Sequence, residues 1–293
     1  MNIRSIKSRA NELLVYSKPQ FIRILIIMLL VGLVPSLFNN SRGLMALISL
    51  IVSIIFLPFD HGYIVSSLKI VRNNYTALKD EDAWVGFSRF KELFPTYLIV
   101  GLIRFVIVFC ITFVLLFLLT IFNGATLSHM SSMTYNANVD TLVRVLMASP
   151  AFLMQTLIVL LIIVIVNYIL SIYLFAVPYL LEQYHMETMT AIRESIQFIN
   201  GYAFDLFKLD LSYFGWFFLV GIVDSLLVEF LGSIPFVGTL VVAILCGLLK
   251  IYVFLPQYYL SRTIFFEEIA YQRYEVHQQE SFDNVNDYNR EGE

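Results

Sequence analysis

Between Tyr97 and Phe122 the chain reads YLIVGLIRFVIVFCITFVLLFLLTIF, with Arg104 as its only charge. A helix of about 20 consecutive apolar residues crosses the hydrocarbon core of a bilayer. This run is longer than that and apolar on every face, so a half-buried strand does not account for it. Lipid offers no partner to a bare backbone amide, and a helix pairs each one internally. Five other stretches have the same character, at about 21–38, 44–68, 151–181, 209–231 and 236–260. The reading is an all-α, polytopic membrane protein. Its residues 1–270 form a single domain of six transmembrane helices, arranged as three hairpins and joined by cytoplasmic amphipathic helices.

Composition agrees. Charged residues make up 14% of the 293 and apolar ones 59%, whereas a soluble domain carries about 25% charge. The net charge of -3 holds no basic excess, so nucleic acid is not an expected partner. Cys110 and Cys246 both lie inside apolar runs and read as small buried hydrophobes rather than a disulfide framework. Residues 1–20 carry Arg4, Lys7, Arg9 and Lys18, but no small-residue cleavage site follows cleanly, so the first span reads as retained.

Orientation follows from Lys and Arg. Fifteen of them fall in the N-terminal segment, the loops after spans two and four, and the tail; only Arg42 and Arg144 fall on the other side. Positive charge stays on the side of synthesis, so both termini are expected in the cytoplasm. The polar connection 123–149 is expected outside, with 140–148 as a short interfacial helix, and the tail 274–293 is expected to be disordered.

A threefold pattern runs through the chain. Each even span ends near a proline, at Phe56-Leu57-Pro58, Phe175-Ala176-Val177-Pro178 and Phe254-Leu255-Pro256. Each odd span follows a segment of helical periodicity. Ile3, Ile6, Ala10 and Leu13 share one face, then Ala83, Phe87, Phe90 and Phe94, then Met189, Ile192, Ile196 and Ile199. Basic residues on the opposite faces suit an anionic inner leaflet. The pattern is consistent with internal repetition, and equally with proline's ordinary preference for helix ends.

Several short segments together carry a family resemblance. They are Ile3-Arg4-Ser5-Ile6-Lys7-Ser8-Arg9-Ala10, Leu57-Pro58-Phe59-Asp60-His61-Gly62-Tyr63, Trp84-Val85-Gly86-Phe87, Val177-Pro178-Tyr179, Ala191-Ile192-Arg193-Glu194-Ser195, Lys208-Leu209-Asp210-Leu211-Ser212-Tyr213-Phe214-Gly215-Trp216 and Pro256-Gln257-Tyr258-Tyr259. As a set, over about residues 1–270, they resemble the bacterial integral-membrane family catalogued as domain of unknown function nine-seven-five. The resemblance implies a six-helix plasma-membrane protein without an established activity.

Ionisable groups inside spans are the first functional suspects, because each costs about 2.5–3.5 kcal/mol at mid-helix. Asp60, Arg104, Asn167, Asp210 and Lys250 form a candidate intramembrane polar cluster, with Asp60 set against Arg104 and Asp210 against Lys250. The competing reading is that Arg104 and Lys250 snorkel to the headgroups. Asp224 and Glu229, in the outer half of span five, are a candidate ion or proton site. His61, His129, His185 and His277 lack ligand spacing, so no metal and no cofactor are expected. No GxSxG, P-loop or dinucleotide loop occurs. Glu267-Glu268 with Arg273 departs from the paired-glutamate pattern of membrane proteases in its spacing. No catalytic residue is assigned.

The leading expectation is therefore a non-enzymatic membrane factor that associates with the phospholipid bilayer and with a membrane partner or bound lipid. The alternative is a transporter or exporter of a small or amphipathic solute.

Overall fold

The computed structural model describes residues 1–35, 44–122, 150–231 and 237–275. The expected 123–149 loop, its 140–148 helix and most of the 274–293 tail lie outside them. Every regular element among the described residues is helical. Five helices there are long and apolar enough to cross a membrane, and a sixth crossing results if two helices meeting at 56° count as one.

Helix α1 runs from Ile3 to Gly32. The basic segment and the first span are thus one continuous helix rather than two. Asn2 caps it, its side-chain oxygen accepting from the amides of Arg4 at 3.1 Å and Ser5 at 3.4 Å. Ile6, Ala10, Leu14, Ser17, Phe21, Leu25 and Met28 are buried along one stripe. The expected face of Ile3, Ile6, Ala10 and Leu13 is therefore rotated slightly, toward Leu14.

The three prolines do not close spans; they open the helices that follow. Helix α2, Leu44–Ile55, is succeeded by a 3₁₀ turn, Leu57–Asp60, and by α3, His61–Val71. Pro58 is the second residue of that turn. After the short α4 (Val85–Ser88) and the long α5 (Phe90–Phe122) comes α6, Pro150–Tyr173. Pro178 is the second residue of α7, Val177–Tyr184. Beyond α8 (Thr188–Ile199), α9 (Ala203–Leu231) and α10 (Val237–Val253), Pro256 is the second residue of α11, Leu255–Ala270. Proline has no amide hydrogen to give, and the first turn of a helix needs no such donor. Each element therefore restarts one residue before its proline, after a break at Phe56, Ala176 or Phe254. The sixth expected span, 236–260, is thereby cut at Phe254.

The contacts divide the chain into two compact units: Met1–Leu98 with Phe175–Glu293, and Ile99–Leu174. In the second unit apolar side chains face outward. Phe105, Phe109, Phe113 and Phe117 recur four apart on α5 and are all exposed, as suits helices solvated by lipid.

The core of the first unit is α11. Leu260, Ile264, Phe265, Phe266 and Ile269 are fully buried. The helix packs on α1, α3, α9 and α10. Phe266 stacks on Tyr179 of α7 at 4.8 Å and on Phe198 of α8 at 4.9 Å. Thr263 Oγ1 sits 2.9 Å from Ser67 Oγ of α3 and 3.3 Å from the Tyr179 hydroxyl. The three post-proline helices thus converge on one another.

The buried face of α8 is Ala191, Ile192, Ser195, Phe198 and Ile199. The expected face included Met189 and Ile196, and both are exposed. Ser195 draws the helix round by accepting the Ala176 amide at 3.2 Å, which satisfies a donor left free by the break before α7. The expected helix through Ala83, Phe87, Phe90 and Phe94 is also broken. It consists of a 3₁₀ turn at Asp80–Trp84, then α4 and the start of α5. Tyr274, assigned to the tail from sequence, packs against Tyr184 and Phe198.

Candidate functional site

Two polar arrangements lie within the first unit. The first is an open cavity of about 420 Å³ walled by α1, α9, α10, α11 and the start of α3. Leu25, Met28 and Leu29 form one apolar side, and Ala243, Ile251 and Leu255 another. Asp60, Asp224 and Lys250 bring the charge, and Tyr63 and Tyr259 bring aromatic rings stacked at 4.2 Å and 14°. None of the three charged groups has an ion-pair partner among the described residues.

Helix breaks make this cavity. Asp60 ends the 3₁₀ turn that Pro58 opens, and Tyr259 stands one turn beyond Pro256. Gly247 lets α10 approach α1, because a Cβ there would run into the Leu29 side chain. Asp224 and Lys250 come from neighbouring helices, α9 and α10, which pack along their length.

The second arrangement is a chain of hydrogen bonds centred on His61, whose side chain is fully enclosed. Its Nε2 lies 3.0 Å from Glu182 Oε2 and its Nδ1 lies 2.9 Å from the Tyr97 hydroxyl. With Nε2 donating and Nδ1 accepting, all three groups are satisfied. Arg89 donates to the same Glu182 oxygen at 2.5 Å and to both oxygens of Glu92, at 2.5 and 2.9 Å. The Glu92 hydrogen bond is the largest influence on Arg89 and raises its pKa above the ordinary guanidinium range; the charge of Glu182 adds to it. This chain ties α3, the start of α5 and α7 together.

A second set of contacts fixes the loop before α4. Lys69 donates to Asp82 at 2.7 Å and to the Ala77 carbonyl at 3.0 Å. The backbones of Pro58–Gly62 and Asp82–Gly86 then touch. A Cβ on Gly62 would stand 2.7 Å from the Asp82 carbonyl oxygen, and one on Gly86 would overlap the Pro58 carbonyl. Phe56, Phe59, Trp84 and Phe87 close round this crossing.

Of the expected polar cluster, Asp60 and Lys250 do line one cavity, together with Asp224 from the other candidate pair. Glu229 is exposed and does not line it. Asp210 does not pair with Lys250: its carboxylate lies 3.7 Å from the Arg262 guanidinium. Arg262 falls just beyond the sixth expected span, where a cytoplasmic charge is expected. It sits instead in the buried α11, over the Phe175 ring at 4.8 Å. Arg104 and Asn167 lie in the second unit. Asn167 donates to the Ile163 carbonyl of its own helix at 3.2 Å, and the Arg104 Nε finds no acceptor among the described residues.

His61 and Glu182 were missed as a pair because they are far apart in sequence. The available signal was that each lies three or four residues beyond a proline that restarts a helix. Among the described residues no three His, Cys, Asp or Glu side chains are grouped to hold a metal ion.

No curated protein and no solved structure gives a significant match to the chain. One family does match, over residues 1–273, and its description is "Protein of unknown function (DUF975)". That match covers most of both units, so the chain belongs to this family.

Proposed function

We propose that this chain is a non-enzymatic, multi-pass protein of the bacterial plasma membrane, with both termini cytoplasmic, that takes a lipid or another amphipathic solute into the cavity between α1, α9 and α10. The cavity carries the reading. It sets three charged side chains on otherwise apolar walls, and its volume of about 420 Å³ falls in the usual range for ligand pockets, about 300–1,000 Å³. Charge inside membrane helices is costly unless it meets water, a partner or a ligand. The sequence adds support, with fifteen basic residues on one side against two and no catalytic motif.

The test is purification in mild detergent followed by native mass spectrometry. Wild type should retain a stoichiometric amphipathic ligand, and the Asp224→Asn variant should retain less of it or a different one. Recovery of bare, folded protein from native membranes in every case would overturn the reading.

Transport of the ligand is the second reading, and the same three charges favour it. Flux into proteoliposomes that falls in Asp224→Asn would support it; equal flux in wild type and variant would remove Asp224 from any such role.

A further inference from the structure

We infer that the ligand of this cavity is a monovalent organic cation with an apolar body. The inference rests on the cavity-binding reading above and adds the charge class. Asp60 and Asp224 contribute two carboxylates to the walls and Lys250 one ammonium, so the ionised lining is short of one positive charge. None of the three has an ion-pair partner within 4 Å among the described residues. Asp224 stands within α9, a helix long and apolar enough to cross a membrane, where an unneutralised carboxylate is expensive and a bound cation offsets that cost.

The remaining walls select the kind of cation. Tyr63 and Tyr259 lie face to face on one side. Weakly hydrated ammonium or phosphonium groups lose little on leaving water, so an aromatic wall suits them better than it suits a strongly hydrated ion. Leu25, Met28, Leu29, Ala243, Ile251 and Leu255 supply the surface for an apolar body. A bare metal ion is poorly served: no three His, Cys, Asp or Glu side chains are grouped to hold one among the described residues. A monoanion would meet two carboxylates for one ammonium. Lys250 then acts as a competing internal charge, which holds the unloaded cavity nearer neutrality and repels the cation that enters.

The experiment uses the full-length protein in zwitterionic nanodiscs. Binding of radiolabelled tetraphenylphosphonium is compared with tetraphenylborate, an ion of the same shape and opposite sign. Empty discs correct for partitioning, and melting curves confirm that each variant is folded. Saturable binding of the phosphonium and none of the borate is expected. Asp60→Asn and Asp224→Asn should each weaken the phosphonium about tenfold, the loss typical of a removed charged partner. Lys250→Gln should tighten it about threefold, in keeping with a solvent-screened charge.

Preference for the borate, unchanged binding in both Asn variants, or weaker phosphonium binding in Lys250→Gln would each overturn the cation assignment. Absence of saturable phosphonium binding would overturn it too. If a lipid still co-purifies in that case, cavity binding survives and only its charge class falls.

Discussion

The Nε2 of His61 lies 3.0 Å from a carboxylate oxygen of Glu182, 121 positions further along the chain. One residue stands just after the Pro58 turn and the other late in the helix that Pro178 opens, so this contact joins two of the three restarted helices. His61→Ala and Glu182→Gln should each destabilise the protein by about 2–3 kcal/mol, the cost of leaving a buried partner unmatched. The double variant should lose less than the two singles combined, by about 1 kcal/mol or more. Unfolding in mild detergent measures this cycle; strict additivity would mean the contact carries no coupling.

The strictest glycine requirements should lie at the backbone crossing, where the added carbon meets main chain. Gly62→Ala and Gly86→Ala push a methyl group into the carbonyls of Asp82 and Pro58, and backbone cannot swing away as a side-chain end can. Each should cost about 1–3 kcal/mol or more. Gly215 and Gly221 have nothing within 4 Å of the added carbon. Alanine there should be neutral or mildly stabilising, since it favours a helix by up to about 1 kcal/mol over glycine. Melting temperatures of the four variants rank the sites. A normal melt for Gly86→Ala would show that the crossing is looser than described.

Arg262 should not tolerate lysine. Its planar guanidinium lies over Phe175 at 4.8 Å and within 3.7 Å of Asp210, a combination of stacking and pairing that an ammonium does not reproduce. Arg262→Lys should lower stability by about 1–2 kcal/mol. Arg262→Met should lower it by about 3 kcal/mol, because a buried carboxylate loses its cation. Wild-type stability in the lysine variant would reduce the site to simple charge balance.

Topology is checked with paired reporters. A periplasmic-active reporter fused within 123–149 should be active, and the same reporter at the C-terminus silent; a cytoplasmic-active reporter should give the converse. The expectation comes from fifteen basic residues on one side against two on the other. Matching signals from the two positions would reverse the assignment of at least one span.

The sequence alone determined the solvent and the class. Runs such as Tyr97–Phe122 are long and apolar enough to cross a membrane as helices, and that inference needs only local composition. The family was legible as well, through short segments whose spacing survives reading in a line. Tertiary structure decided which charges meet. Asp60, Asp224 and Lys250 reach one cavity from three separate parts of the chain, while Arg262 turns out to be buried beside Asp210. Helical periodicity tells which residues share a face but not what that face meets. Partners far apart in sequence become neighbours only through helix crossings, and these depend on the proline breaks, on Gly62, Gly86 and Gly247, and on side-chain fit that no single segment contains.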